Sequence, residues 1–172
     1  MNRVLLASAA LLLLLPAAGA AAKSTDRNQA MAIDAGGQSG NLEGDGKTVL
    51  SGGVVVTQGS LEIRSSAAEI YMAGGEISRS VFTGKQVKMK QQMDNGSWMD
   101  AQADRVEYDM KTETITFIGN YTVKSDRGSN SGQRMVYNTK TGNMQSGGDG
   151  TRVKTVIQPK SAGAAKKPED TK

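Results

Sequence analysis

Hydrophobic and polar positions alternate most cleanly over Ala103–Val123, ADRVEYDMKTETITFIGNYTV. Val106, Tyr108 and Met110 fall on one face of an extended limb, and Arg105, Glu107 and Asp109 on the other. A polar turn at Lys111-Thr112-Glu113 follows, and Ile115 and Phe117 share a face in the return limb. Period-2 alternation on both sides of a short turn predicts an antiparallel strand pair with one dry face. The unit recurs. Gly132–Asn138 repeats the Arg-apolar-x-Tyr-(Asp/Asn) pattern of Arg105–Asp109, with Thr141-Gly142 as its turn, and a fainter copy lies at Ala68–Met72. Gly119-Asn120-Tyr121-Thr122-Val123 echoes Gly52-Gly53-Val54-Val55-Val56. The chain is one β-hairpin idea written several times.

The same pattern organises the rest. Met31 and Ile33 alternate with Ala32 and Asp34 in a first strand, after a polar and flexible segment at 23–29. Ala35–Gly46 is glycine-rich, with Leu42 its only large apolar side chain, and receives no element. Thr48–Gln58 predicts two limbs bent at Gly52-Gly53. Leu61 and Ile63, then Ala68, Ile70 and Met72, make two more strands; Gly74-Gly75 turns the chain into Ile77–Thr83. Val87 and Met89, between Lys88 and Lys90, form a separate one-sided strand. Asp94-Asn95-Gly96 predicts a tight turn, because Asn and Gly accept positive φ. Gly147–Gly150 breaks the sheet, a last strand spans Arg152–Ile157, and Pro159 ends it, since proline cannot donate to the ladder. No stretch carries a helical apolar stripe longer than a turn or two. An all-β antiparallel jelly roll or sandwich is expected over 30–159.

Composition sharpens this picture at the ends and in the core. Met1–Ala22 has Arg3, an apolar run Val4–Leu15 and a small-residue site at Ala18-Gly19-Ala20 or Ala20-Ala21-Ala22, which reads as a cleaved secretory signal over 1–22. The run is short of the ~20 residues a membrane span needs. Residues 160–172, rich in Ala, Lys and Pro, read as a disordered tail. Beyond the leader only three leucines remain, Leu42, Leu50 and Leu61, and Val, Ile, Thr, Tyr and Met take the apolar positions. The chain has no Cys, hence no disulfides and no lipid-modified cysteine, and no His. Its 21 basic and 17 acidic residues are interspersed, which argues against a nucleic-acid partner.

Candidate chemistry is sparse. Asp100, Asp104, Glu107 and Asp109 crowd one region, but Glu107 and Asp109 fall opposite the apolar face, where a wetted sheet surface carries charge. Without His or Cys, a nucleophile triad or zinc site has little to use, so no catalysis, cofactor or metal is expected. Lys85, Lys88 and Lys90 read as lysine protection of an edge strand. The inner face says more. Met31, Met72, Met89, Met110, Met135 and Met144 lie in or beside predicted strands, where flexible, polarizable methionine suits either ordinary core filling or a groove that accepts varied apolar ligands, and the shortage of Leu and Phe to close a dry core favours the groove.

Gly52–Gly59 (GGVVVTQG), the limbs at Arg105–Tyr108 and Arg134–Tyr137, the Asp94–Gly96 hairpin, the Ile118–Asn120 bend and the closing strand Arg152–Pro159 together resemble the OstA-like family. The likeness spans about Ala30 to Pro159; Gly53 stands where the family usually has Asn, and Gln133 where it usually has Asp. The resemblance implies a twisted, V-shaped jelly roll of about sixteen antiparallel strands, stacking edge to edge with its own copies or with like-shaped partners. It implies a periplasmic bridge along which lipopolysaccharide passes, the acyl chains of its lipid A portion shielded inside. The partners implied are a membrane-anchored jelly roll of the inner-membrane transporter and the N-terminal jelly-roll domain of the outer-membrane translocon. Family lipid-facing positions match Met31, Ile33, Met89, Tyr108 and Met110, and strand alternation adds Met135 and Tyr137, while Ala32, Lys88 and Glu107 should face water. The assembly edges expected are Met31, Ala32, Ile33 and Asp34 at one end, and Arg152, Val153, Lys154, Thr155, Val156 and Ile157 at the other. A jelly-roll carbohydrate-binding module, with Trp98 as its platform, and a polysaccharide-acting enzyme are the alternatives from other classes.

Overall fold

The computed structural model describes residues 21–41 and 44–159. A 3₁₀ helix at Ser24–Asn28 precedes ten strands: β1 Met31–Ser39, β2 Gly46–Gln58, β3 Leu61–Ser65, β4 Ala67–Ala73, β5 Glu76–Gln92, β6 Trp98–Asp109, β7 Thr114–Ser125, β8 Gly128–Asn138, β9 Met144–Ser146 and β10 Lys154–Ile157. All lie in one antiparallel sheet ordered β1-β2-β3-β5-β6-β7-β8-β10, with β4 between β2 and β5, and β9 beside β8. The leader up to Ala20, Leu42 and the tail from residue 160 lie outside the described residues.

A corner crosses this sheet. At Gly52-Gly53, strand β2 changes partners, from β4 on one side to β3 on the other. Register breaks continue the line through β1 between Ala35 and Gly37, β5 between Thr83 and Val87, β6 between Gln102 and Arg105, and β7 between Ile118 and Tyr121. Extra residues on one strand opposite fewer on its neighbour bend and twist a ladder. The corner divides the sheet into two half-sheets with one common core. Six strands run through it and contribute a segment to each half. That is where a count of about sixteen parts company with ten, since each such strand is continuous.

The core is built in cross-strand rows. In one half-sheet Leu50, Ala68, Phe82, Val106, Phe117 and Met135 stand opposite one another in turn, each 2% exposed or less. In the other, Val56, Ile63, Met89, Ala101 and Val123 stand opposite one another likewise, each 6% exposed or less. Cross-strand apolar pairs are the unit of sheet stabilisation, and each large side chain buried contributes about 1.5–3 kcal/mol.

Several expectations change. The first strand continues through the glycine-rich stretch to Ser39, because Gly36 allows β1 to pass close under the corner of β2. Ile77–Thr83 and the Val87–Met89 limb are one bent strand, β5, which is central, so its lysines protect no edge. The last strand begins at Lys154, leaving Arg152 and Val153 in the preceding connection. Residues 23–29 are not loose: they hold the 3₁₀ helix Ser24–Asn28, whose Asp26 is 5% exposed. The fold also starts before Lys23, since Asp94 N–H donates to Ala21 O (2.9 Å) and Ala22 N–H to Thr139 O (3.2 Å).

The corner makes a direct prediction. A Cβ on Gly36 would sit 2.8 Å from Gly52 O and 3.1 Å from Gly52 Cα, both main chain, whereas one on Gly37 would meet only the Ser51 hydroxyl at 3.0 Å. Gly36→Ala should therefore lose about 1–3 kcal/mol, as overpacking does, and Gly37→Ala a few tenths, with urea unfolding as the measure. Equal losses would remove the close approach.

Candidate functional interior

The inner faces of both half-sheets meet in an elongated apolar interior that opens at each end. At the β1 end, a cavity of about 410 Å³ is lined by Met31, Ile77, Tyr108 and Met110, with Arg27, Gln58, Glu76 and Glu113 around it. At the β8 end, a cavity of about 310 Å³ is lined by Met93, Met99, Val123, Tyr137 and Met144, with Arg127 and Asp126 at its margin. Each draws residues from both half-sheets, so both are mouths of the same interior.

Strand alternation places the expected residues as follows. Met31, Ile33, Tyr108 and Met110 are part-exposed, and all but Ile33 line the first mouth. Met110 sits in the β6–β7 turn rather than a strand. Met89, Met135 and Tyr137 point inward too, but are 2% exposed or less and packed into the core. The seven residues therefore divide between the β1-end mouth with its neighbour Ile33, a closed middle at Met89 and Met135, and the β8-end mouth, which Tyr137 lines. Between the mouths the interior is filled by side chains that include Met89 and Met135, while Met93 and Met99, also buried, line the second mouth. Methionine repacks at small cost because its thioether chain has several soft torsions.

The outer faces are polar and differ. Glu107 points away from the core as expected, yet it does not simply face water. Arg79 donates to its Oε2 (2.6 Å) and Arg105 to its Oε1 (2.7 Å). Burial pushes this carboxyl up, but the two guanidiniums outweigh it and leave the pKa below the ordinary value. Asp104 accepts from Asn120 Nδ2 (2.8 Å), and Asp109 accepts from Thr112 N–H (2.9 Å) in the turn. Glu107 and Asp109 share an outer-face hollow of about 390 Å³ with Arg79, Thr112, Thr114 and Thr116, where both are held by hydrogen bonds, Glu107 to the two arginines and Asp109 to the turn. A hollow of about 500 Å³ on the outer face of the other half-sheet is lined by Glu62, Arg64, Lys88, Lys90, Asp100 and Lys124, with Lys90 Nζ 4.7 Å from the Trp98 ring centroid. Trp98 is 44% exposed, with the Lys90 ammonium set over its ring. Among the described residues no cluster of three His, Cys, Asp or Glu is placed to hold a metal ion.

Alternation along β5 (Val87, Met89, Gln91) puts one polar residue, Gln91, on the inner face. Gln91 is 6% exposed, and its amide reaches Asp26 of the 3₁₀ helix at 3.5 Å. Sequence reading passed over both, although a glutamine in phase with Val87 and Met89 was the available signal. The β8 end holds a second polar tie: Asn130 Oδ1 accepts from the Tyr121 hydroxyl (2.5 Å) and the Ser146 hydroxyl (3.1 Å), and Asn130 Nδ2 donates to Thr155 (2.8 Å).

The free edges complete the geometry. β1 pairs only with β2, while β9 and β10 lie in line along β8. Alternating directions across the ordered sheet make β10 antiparallel to β1. A copy displaced along the sheet without turning over would thus set β10 against 31–35 and β9 against 37–39, in the same half-sheets. Met144 (57% exposed), Val156 (41%) and Ile157 (81%) stand out at the β9–β10 edge.

Comparison with known proteins agrees with this architecture. A family described as LptA/(LptD N-terminal domain) LPS transport protein matches residues 32–143. The lipopolysaccharide export system protein LptA of Escherichia coli K12 is 30% identical over 159 residues, 91% of this chain and 84% of its own length. The protein of the same name from Haemophilus influenzae is 32% identical over 148 residues, 82% of this chain and 84% of its own. The crystal structure of LptH, the LptA-homologous periplasmic component of the lipopolysaccharide transport device of Pseudomonas aeruginosa, superposes with a TM-score of 0.71. It is 22% identical and covers 78% of this chain and 99% of that one, a likeness of fold.

Burial pushes the Tyr137 hydroxyl up to about 12. A phenol that ionises later in the folded than in the unfolded state, whose value is about 10, destabilises as pH rises between the two. Denaturant unfolding should show stability falling from about pH 10 and levelling near pH 12, with Tyr137 late in the phenolate absorbance titration. Tyr137→Phe should remove that late titration and flatten the fall.

Proposed function

This chain belongs to the LptA/(LptD N-terminal domain) LPS transport protein family, and from that premise we propose that it is a periplasmic bridge carrying lipopolysaccharide from the inner to the outer membrane. The observation that carries the reading is an apolar inner face running from one free edge of the sheet to the other, with a mouth at each end. Exposing an acyl chain to water costs about 0.8 kcal/mol per CH₂, on the order of 10 kcal/mol for a dozen carbons. A continuous apolar trough lowers that barrier by burial alone, and transport along it asks for no nucleophile, cofactor or metal.

The finer reading concerns ends and partners. Copies stack head to tail, β9 and β10 of one adding as strands to β1 of the next. Such a heterologous contact need not close, so it yields rods. The apolar side chains at the β9–β10 edge support this direction of growth. The β1 edge meets the jelly-roll partner anchored in the inner membrane, and the β9–β10 edge meets the N-terminal jelly-roll domain of the outer-membrane translocon. A leader cleaved after Ala20 rather than Ala22 leaves the Ala21 and Ala22 contacts in place.

Two experiments test this. A photo-crosslinking residue placed singly, in cells making lipopolysaccharide, should form adducts at Met31, Ile33, Tyr108 and Met110, weaker ones at Met89, Met135 and Tyr137, and few at Ala32 or Lys88. Adducts spread evenly over both faces would replace the trough with surface binding. Val156→Pro removes a ladder donor from β10 and should abolish concentration-dependent rod growth in light scattering. Unchanged growth would eliminate this edge.

A further inference from the structure

We propose that residues 21–29 are a displaceable strap closing the long side of the interior, and that cargo loads by taking its place, with Asp26 as the latch. This rests on the reading of the interior as an acyl-chain path. The segment is bonded alternately to the tips of the two half-sheets, opposite the corner. On one side, Asp94 N–H donates to Ala21 O (2.9 Å), Lys23 N–H to Gln92 O (3.0 Å), Ser24 N–H to Asp94 Oδ1 (2.9 Å), and Gln58 Nε2 to Gln29 O (3.1 Å). On the other, Ala22 N–H donates to Thr139 O (3.2 Å), and Arg27 donates to Glu113 and to the Thr139 hydroxyl (3.0 Å). Its ends also mark the two mouths: Arg27 lines one, and Ala22 pairs with Met93 and meets Tyr137, which line the other.

The composition of the strap suits removal. Residues 23–29, Lys-Ser-Thr-Asp-Arg-Asn-Gln, contain no apolar side chain. Lifting them from the interior forfeits almost no hydrophobic burial, whereas peeling back any core strand would forfeit several large side chains. What holds the strap is hydrogen bonding, whose net worth is small because water replaces each partner.

Asp26 is the exception, the one buried charged residue among the described residues. It lies over Gly59, where any Cβ would run into its carboxylate, and accepts from the Ser60 hydroxyl (2.5 Å) and, at the limit of bonding, from Gln91 Nε2 (3.5 Å). The slot is incompletely satisfied, because Gln91 Oε1 is buried without a hydrogen-bond partner. A carboxylate can only accept, so Asp26 cannot supply the missing donor. A polyhydroxylated, anionic head group could do both jobs, its anion replacing Asp26 at Ser60 and a hydroxyl donating to Gln91. The latch is therefore a weaker occupant of its own slot than the head group of a glycolipid.

The test uses the exported chain, which has no native cysteine, carrying Ser24→Cys with Asp94→Cys, together with a separate Asp26→Ala variant. Binding of fluorescently labelled, purified lipopolysaccharide is followed in rate and at equilibrium, with circular dichroism confirming the β-fold. The oxidised double-cysteine protein should take up lipid at least tenfold more slowly than the same protein reduced, and Asp26→Ala should load several-fold faster than wild type. Equal uptake by the oxidised and reduced forms, or no gain in Asp26→Ala, would overturn the strap while leaving the lipid reading intact. Absence of binding in every form, wild type included, would instead overturn the lipid reading and the strap with it.

Discussion

A sheet whose inner face is apolar from one edge to the other must be folded onto itself, and the corner does this. It crosses the strands rather than running between two of them, so every long strand supplies side chains to both walls. Phe117 in one wall and Val123 in the other belong to the same strand. The consequence is a roll that is closed along its corner but open at both edges. A barrel buries its interior by pairing first strand to last and abolishes its edges. Here the pairing is left undone, and the unpaired backbone of β1, β9 and β10 is the cost of keeping the interior open at its ends. That liability becomes useful only if another jelly roll covers it.

Much of this was legible in the sequence, because alternation and glycine are local signals. Val106, Ile115 and Phe117 fell on the dry face as expected, and their register is direct: Val106 opposite Phe117, and Tyr108 opposite Ile115. The echo between Gly52-Gly53 and Gly119-Asn120 marked two crossings of one corner, where φ is +77° and +86° in one strand and +76° and +46° in the other. The crossings in β5 and β6 carry no glycine pair, and β5 was accordingly read as two strands. Its corner is made by Gly84-Lys85-Gln86 bulging opposite Asp104, with Gln86 at φ +113°. A bulge records a mismatch in length between two strands, and neither strand alone contains it. β9 escaped notice because three residues are too few to alternate.

The strap was illegible for a different reason. Its side chains obey the rule for an exposed polar lead-in, and only the tips of the half-sheets give Lys23–Gln29 a structure to bind. Asp26 is buried by Gly59, Ser60 and Gln91 together, and no periodicity in one segment foretells that. Gln91 was the single trace, a polar residue in phase with Val87 and Met89.

The closed middle of the interior follows from the same physics. An empty apolar channel would either fill with water or forfeit packing contacts on its walls. Flexible side chains such as Met89 and Met135 avoid both by filling the space themselves. Cargo then exchanges one set of apolar contacts for another, so the net gain per acyl chain is modest and release stays possible. Loading through the strapped side and stacking through the β1 and β9–β10 edges use different backbone. A copy built into the proposed rod would keep its strap free to move, because the segment bonds to the tips of the half-sheets and not to the edges. In the proposed bridge, assembly and loading would thereby be uncoupled by geometry, so that a chain of such rolls could stand permanently while lipid passed through it.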